Sequence, residues 1–214
     1  DILSHYCVKQ AVAELSGVVL IVHNMCVNTC LAFTGPLAHL DVCPRCGESR
    51  WDAKKSKPTQ KVPRQTFNTF PVGPQLQALW RHPNHVKKMR WREERTQKIL
   101  EELEISGGIP DVYEDVLHGK QYLEACQSGQ IKDRDSVLML SIDGAQLYES
   151  KQSDCWIYIS VLFNHAPEEQ YQKKYVIPGG IIPGPKKPKN LNSFLFPSLH
   201  HLCAIQTKGL IIWN

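Results

Sequence analysis

The residues best placed to do chemistry are four cysteines within a 21-residue window, Cys26, Cys30, Cys43 and Cys46. They read C-x3-C-x12-C-x2-C, two close pairs separated by a loop. A close pair on a tight turn presents two thiolates to one side, and two such turns face to face make the tetrahedral sulfur cage that Zn²⁺ prefers. Gly47, directly after Cys46, suits a knuckle in which backbone N–H groups point at metal-bound sulfur. His23 lies three positions before Cys26, so a Cys₃His set with His23 replacing one cysteine stays open. Buried free thiols or a disulfide compete with this reading, but neither accounts for two close pairs in so short a stretch. Four sulfurs leave no open coordination position, which predicts a structural zinc of the kind found in nucleic-acid and protein-interaction modules.

The elements that must hold these residues belong to a chain of 214 residues, enough for one large domain or two small ones. No secretory leader precedes the eight cysteines, and half of them sit in the zinc pattern, so the expected compartment is reducing. The apolar run Val18-Val19-Leu20-Ile21-Val22 is too short to cross a bilayer. The chain begins at Asp1 and stops just after Leu210-Ile211-Ile212-Trp213, which reads as a piece of something longer. Net charge is +4, unevenly spread: from Arg45 to Lys98 fourteen Lys or Arg face four Asp or Glu, and from Ile99 to Asp154 four face twelve. A basic stretch beside a zinc module fits a phosphate-binding surface, and equally a solvated helix face with a lysine-rich linker.

Punctuation divides the chain into an unassigned segment 1–22, a Cys₄ module 23–52, a basic linker and helical region 53–134, and a sheet-forming region 135–214. Pro58, Pro63, Pro71 and Pro74 mark residues 53–74 as extended linker. A short helix is expected over 74–81, and a long one from Asn84 to just before Gly107-Gly108. Val86, Met89, Thr96, Leu100 and Leu103 share its buried face, with Lys87, Lys88, Arg90, Arg92 and Arg95 over much of the rest. A further helix from Asp111 to about Gln127 should break near Gly119. Beyond residue 135 the period changes to strands at 137–142, 156–163 and 174–182. An amphipathic helix over 192–207 follows, capped by Gly209, and a last strand-like run covers 210–213. Three hairpin-joined strands, a helix and another strand form the opening of an RNase H-like layout, in which the first strand carries a carboxylate at its exposed end. Asp143 stands in that place, and a turn aspartate in an Asp-Gly hairpin is the plainer alternative.

Several blocks carry a resemblance. They are His23-Asn24-Met25-Cys26 through Thr34-Gly35, Cys43-Pro44-Arg45-Cys46-Gly47-Glu48-Ser49-Arg50-Trp51, and Gly73-Pro74-Gln75-Leu76-Gln77-Ala78-Leu79. Further along come Ser141-Ile142-Asp143-Gly144, Asn164-His165-Ala166-Pro167-Glu168 and Ile182-Pro183-Gly184-Pro185-Lys186-Lys187-Pro188-Lys189. In this order, over residues 20–214, they resemble the CACTA-type (En/Spm-like) DNA transposases of plant and fungal transposons. The resemblance implies an α+β chain: a small zinc-binding module, a helical linker region, then a truncated RNase H-like mixed sheet. It implies a nuclear cut-and-paste enzyme acting on the DNA of transposon ends, with three acidic residues holding two Mg²⁺ ions.

Two metals about 4 Å apart activate the attacking oxygen and stabilise the leaving one, so each carboxylate counts. Asp143 matches the first acid of that set. The second and third are expected beyond residue 213, and Asp133, Asp135 and Asp154 do not replace them on position. The expected chain therefore binds DNA, with Lys87, Lys88, Arg90 and Arg92 as contacts, but does not cut it. His200-His201 and Asp154-Cys155 depart from the family pattern. Adjacent histidines point to different helix faces, so a shared ligand role is not expected, and the remaining cysteines, Cys7, Cys126, Cys155 and Cys203, read as buried thiols. The alternative is a non-enzymatic zinc-containing nucleic-acid or protein-binding factor that keeps the transposon-like scaffold.

Overall fold

The computed structural model describes residues 4–108, 112–146, 154–184 and 186–212. The helices are α1 (His5–Ser16), α2 (Val72–Arg81), α3 (Pro83–Met89), α4 (Trp91–Ile105), α5 (Lys120–Gln127), α6 (Pro167–Gln170) and α7 (Leu191–Lys208). The strands are β1 (Ile21–Met25), β2 (Gln65–Thr69), β3 (Leu138–Gln146), β4 (Asp154–Leu162) and β5 (Ile177–Pro183). The chain groups into two compact units. Unit 1 comprises Asp1–Ala78, Leu140–Ser160 and Ile177–Asn214, and unit 2 comprises Leu79–Met139 and Val161–Val176. These groupings differ from the divisions drawn at residues 22, 52 and 134, because β1 and β2, on either side of the cysteines, join the later sheet.

That sheet is five-stranded and antiparallel, in the order β1-β2-β5-β4-β3. Its register pairs His23 with Phe67, Asn68 with Ile181, and Trp156 with Ile182. β2 lies inside the stretch expected to be linker. Its sequence, Gln65-Thr66-Phe67-Asn68-Thr69, offers one large apolar residue, and Phe67 is fully buried. The expected strand at 210–213 is corrected: residues 210–212 carry no strand, and Trp213 lies outside the described residues. One backbone acceptor of this segment is already taken, since Gln77 Nε2 donates to the Ile211 carbonyl at 2.7 Å. Among the described residues β3 is therefore an edge strand.

The core of unit 1 is Met25, Ala32, Phe67, Ile182 and Phe194, with Trp156 packed on it. Phe67 and Phe194 meet edge-to-face at 5.1 Å, which seats α7 on the sheet. Tyr158, fully buried, reaches Ser198 on α7 at 3.0 Å. Its ring covers Gly179 and Gly180, where a Cβ would stand within 2.5 Å of ring carbons; only glycine admits it. Inside α7, Pro197 has no N–H for the Ser193 carbonyl four residues back. The Thr34 hydroxyl donates to that carbonyl instead.

In unit 2, Ile99, Leu117 and Leu123 form a core with Trp91, Leu100, Leu103 and Tyr122 around it. The single long helix expected from Asn84 divides at Arg90 into α3 and α4. At the junction the Arg92 N–H turns to the Asn164 carbonyl at 3.4 Å. The helix expected from Asp111 is corrected: residues 112–115 carry none, a 3₁₀ turn covers Val116–His118, and α5 begins only after Gly119, while Asp111 lies outside the described residues.

Candidate metal centre

The first cysteine pair sits where β1 ends. The Met25–Ala32 bridge and the Cys26 N–H to Leu31 carbonyl bond (2.9 Å) close a tight loop. Thr29 has φ 55°, a left-handed conformation uncommon for a β-branched residue. The extra residue of C-x3-C is accommodated by that turn, in which the Asn28 N–H points at Cys26 Sγ at 3.4 Å. The second pair is closed by the Gly47 N–H to Cys43 carbonyl bond and the Cys43 N–H to Glu48 carbonyl bond, both 2.9 Å. Gly47 has φ 73°, the left-handed conformation that the knuckle reading requires of it.

The two turns face each other. The four sulfurs all lie within 4.8 Å of one another, with Cys26 and Cys46 Sγ 3.4 Å apart. They could hold a metal ion, and among the described residues no other group of three or more His, Cys, Asp or Glu does so. Cys26, Cys30 and Cys43 are buried and Cys46 is exposed. His23 is not a ligand. It faces the sheet, bonded to Thr69 Oγ1 at 2.9 Å and with its ring tilted 31° to that of Phe67 at 5.1 Å, and its pKa is lowered by burial. The Cys₃His alternative is thereby closed.

Electrostatics divide the cluster. Burial pushes the Cys26 thiol up to about 12. Burial also opposes ionisation of Cys46, but the Glu48 backbone N–H and hydrogen bonds from Asn28, Cys26 and Cys43 outweigh it and bring that thiol down to about 6. One thiolate is thus ready at neutral pH on the exposed sulfur, and a bound cation would deprotonate its neighbours. Asn28, whose Nδ2 reaches Cys46 Sγ at 3.7 Å, bridges the two knuckles; the spacing of the cysteines does not announce it, and its place inside C-x3-C is the one available signal.

Arg50 braces the intervening loop. Its guanidinium donates to the Ala38 carbonyl at 2.7 Å and to the Leu40 carbonyl at 3.2 Å, and lies over the Phe33 and Trp51 rings. Ser193 on α7 accepts from the Ala32 N–H at 2.8 Å, which ties the first knuckle to the sheet-covering helix.

The other expected site residues are placed as follows. Lys87 and Arg90 are exposed. Lys88 is ion-paired with Glu169, which together with Tyr175 raises its pKa. Arg92 is corrected: it is 1% exposed and cannot meet a phosphate. Its Nη1 donates to Tyr122 Oη at 2.9 Å, and its Nη2 donates to the carbonyls of Lys132, Asp133 and Asp135. Asp143 is exposed and lies within β3, which runs on to Gln146, so it stands neither at the expected strand end nor in a hairpin turn.

His200 and His201 do diverge. His200 stacks on Phe196, whereas His201 Nε2 accepts from the Gly73 N–H at 3.1 Å. Of the four lone cysteines only Cys155 is buried, which corrects the expectation for Cys7, Cys126 and Cys203. No family model matches the chain, and no curated protein or solved structure matches it. No helix among the described residues is long and apolar enough to cross a membrane.

Proposed function

We propose that this chain is the zinc-binding and early core region of a CACTA-type DNA transposase, working on nuclear DNA, with a structural Zn²⁺ on Cys26, Cys30, Cys43 and Cys46. The observation that carries the reading is the convergence of the four sulfurs within 4.8 Å of one another, beside a sheet that also includes β3, the strand that bears Asp143. In an RNase H-like sheet the first strand is central, flanked on one side by the second and third. β3, β4 and β5 are neighbours in that order here, and among the described residues no strand lies on β3's other side. Asp143 is then the first carboxylate of a Mg²⁺ site. Among the described residues no other acids gather with it into a metal-binding group. Since a two-metal displacement needs several carboxylates, this chain alone binds DNA and leaves its strands intact.

The test combines fluorescence anisotropy on a labelled 30-base-pair duplex with a nicking assay in Mg²⁺ or Mn²⁺. Expected are low-salt binding that weakens steeply with salt, no nicking, and an Asp143→Asn variant that binds like the wild type. Absence of binding at low salt would sink the DNA reading in favour of a protein-interaction module. Metal-dependent nicking lost in Asp143→Asn would show that the carboxylate set is already complete.

A further inference from the structure

Arg45 and a lysine tract more than a hundred positions later in the sequence are brought together on the metal module. Arg45 sits inside the second knuckle, between Cys43 and Cys46, and is exposed. Its Nη1 donates to the Lys189 carbonyl at 3.2 Å, across 144 positions. Lys189 ends the tract Lys186-Lys187-Pro188-Lys189, whose three lysines are exposed while Pro188 is buried. The tract is anchored on the first knuckle: the Lys189 N–H bonds the Thr29 carbonyl at 3.2 Å and the Asn190 N–H bonds the Cys30 carbonyl at 2.9 Å. Lys187 Nζ lies 5.6 Å over the Trp156 ring. Among the described residues none of the four cations has a carboxylate within ion-pair distance, whereas Lys55, Lys61 and Arg64 of the same unit each do.

We propose that this composite of Arg45, Lys186, Lys187 and Lys189 is the principal DNA-backbone contact, and that the metal assembles it. The proposal rests on the DNA-binding reading above and moves the contact away from Lys87 and Arg90. The chemistry follows from the geometry. Unpaired ammonium and guanidinium groups suit phosphate oxygens, because they displace condensed counterions without first breaking an ion pair. The lysine tract takes its position from backbone carbonyls of Thr29 and Cys30, and Arg45 takes its own from Cys43 and Cys46. When the sulfurs lose their common ion, both halves of the patch lose their frame.

The experiment measures log K against log salt for the same duplex. Replacing Arg45, Lys186, Lys187 and Lys189 by Gln together should lower the magnitude of the slope by about 3 to 4, at about 0.9 for each phosphate no longer neutralised. A Lys87→Gln/Arg90→Gln double variant should leave it unchanged. Removing the metal with a chelator should weaken wild-type binding as far as the quadruple variant does, and should change the quadruple variant little. Unchanged metal content of the quadruple variant verifies its fold, and Arg45→Lys, which keeps the charge, should retain the slope. If the double variant takes the slope and the quadruple variant keeps it, the proposal falls while the DNA reading stands. If the wild type fails to bind duplex at all, both fall. Binding of polyglutamate through these four residues, tighter than that of duplex, would assign the patch to an acidic protein and overturn the proposal.

Discussion

Replacing Arg92 by Met tests whether that guanidinium is a structural strut or a DNA contact. Methionine keeps most of the apolar stem and removes the polar head. The head makes hydrogen bonds through Nη1 to Tyr122 Oη and through Nη2 to three backbone carbonyls of residues 132–135. Hydrogen bonds to a charged group are worth about 1.5–3 kcal/mol each. The three carbonyls share one nitrogen, so two effective bonds are a conservative count, giving about 3–6 kcal/mol. Against a typical domain stability of about 5–15 kcal/mol, that is a large share. A smaller opposing effect comes from Arg92 Nε, which is buried with no partner and whose removal relieves a desolvation cost. Because the chain forms two compact units, one global unfolding energy is not well defined, so the assay is native-state hydrogen exchange across α4 and α5. Exchange there should accelerate by at least a hundredfold in Arg92→Met, and Arg90→Met should match the wild type within about 0.5 kcal/mol. Protection of α4 unchanged in Arg92→Met would refute the strut argument.

Other expectations follow from the metal module. Protein prepared under reducing conditions should carry about one Zn²⁺ per chain, lost in Cys43→Ser, as elemental analysis would show. In the metal-free protein, iodoacetamide at neutral pH should label Cys46 before Cys26, checked by peptide mapping. The sign of its pH dependence is set by a pKa lowered from 9.0 to about 6. The Cys46 thiolate stabilises the metal-free fold fully above about pH 9, and that contribution fades as pH falls through about 6; stability that rose on acidification across this window would contradict it. Ser193→Ala should strand the buried Ala32 N–H at a cost of about 1–3 kcal/mol and speed zinc loss to a chelator, because Ala32 lies two residues past Cys30.

The parts of the molecule legible in the sequence are those encoded locally. Cysteine spacing is a short-range code, and the four sulfurs converge as it implies. The run from Trp156 to Phe163 announces β4 through its aromatic and β-branched residues, and Gly209 announces the end of α7. β2 is illegible because it has five residues, one large side chain and prolines at 63 and 71 on either side; pairing with β1 and β5 overrides its weak propensity. The burial of Arg92 is equally hidden, since a helix dense in Lys and Arg looks solvated. Its acceptors come from a loop some forty positions later. The same holds for the anchoring of Ala32 by Ser193, across 161 positions.

The pairing of β2 with β5 has a consequence for the order in which this protein assembles. The hairpin of β1 and β2, with both cysteine pairs between its strands, is complete once residue 69 has been made. Metal can therefore organise that region while most of the chain is still to come. Until residues 177–208 emerge, however, one edge of β2, the Ala32 N–H and the Thr34 hydroxyl wait for partners that only β5 and α7 supply. Such distant closures carry a large loop entropy and slow the final step. A nascent or truncated form would expose a strand edge and the Phe67 face for that interval, which makes it a ready substrate for chaperones and a seed for aggregation.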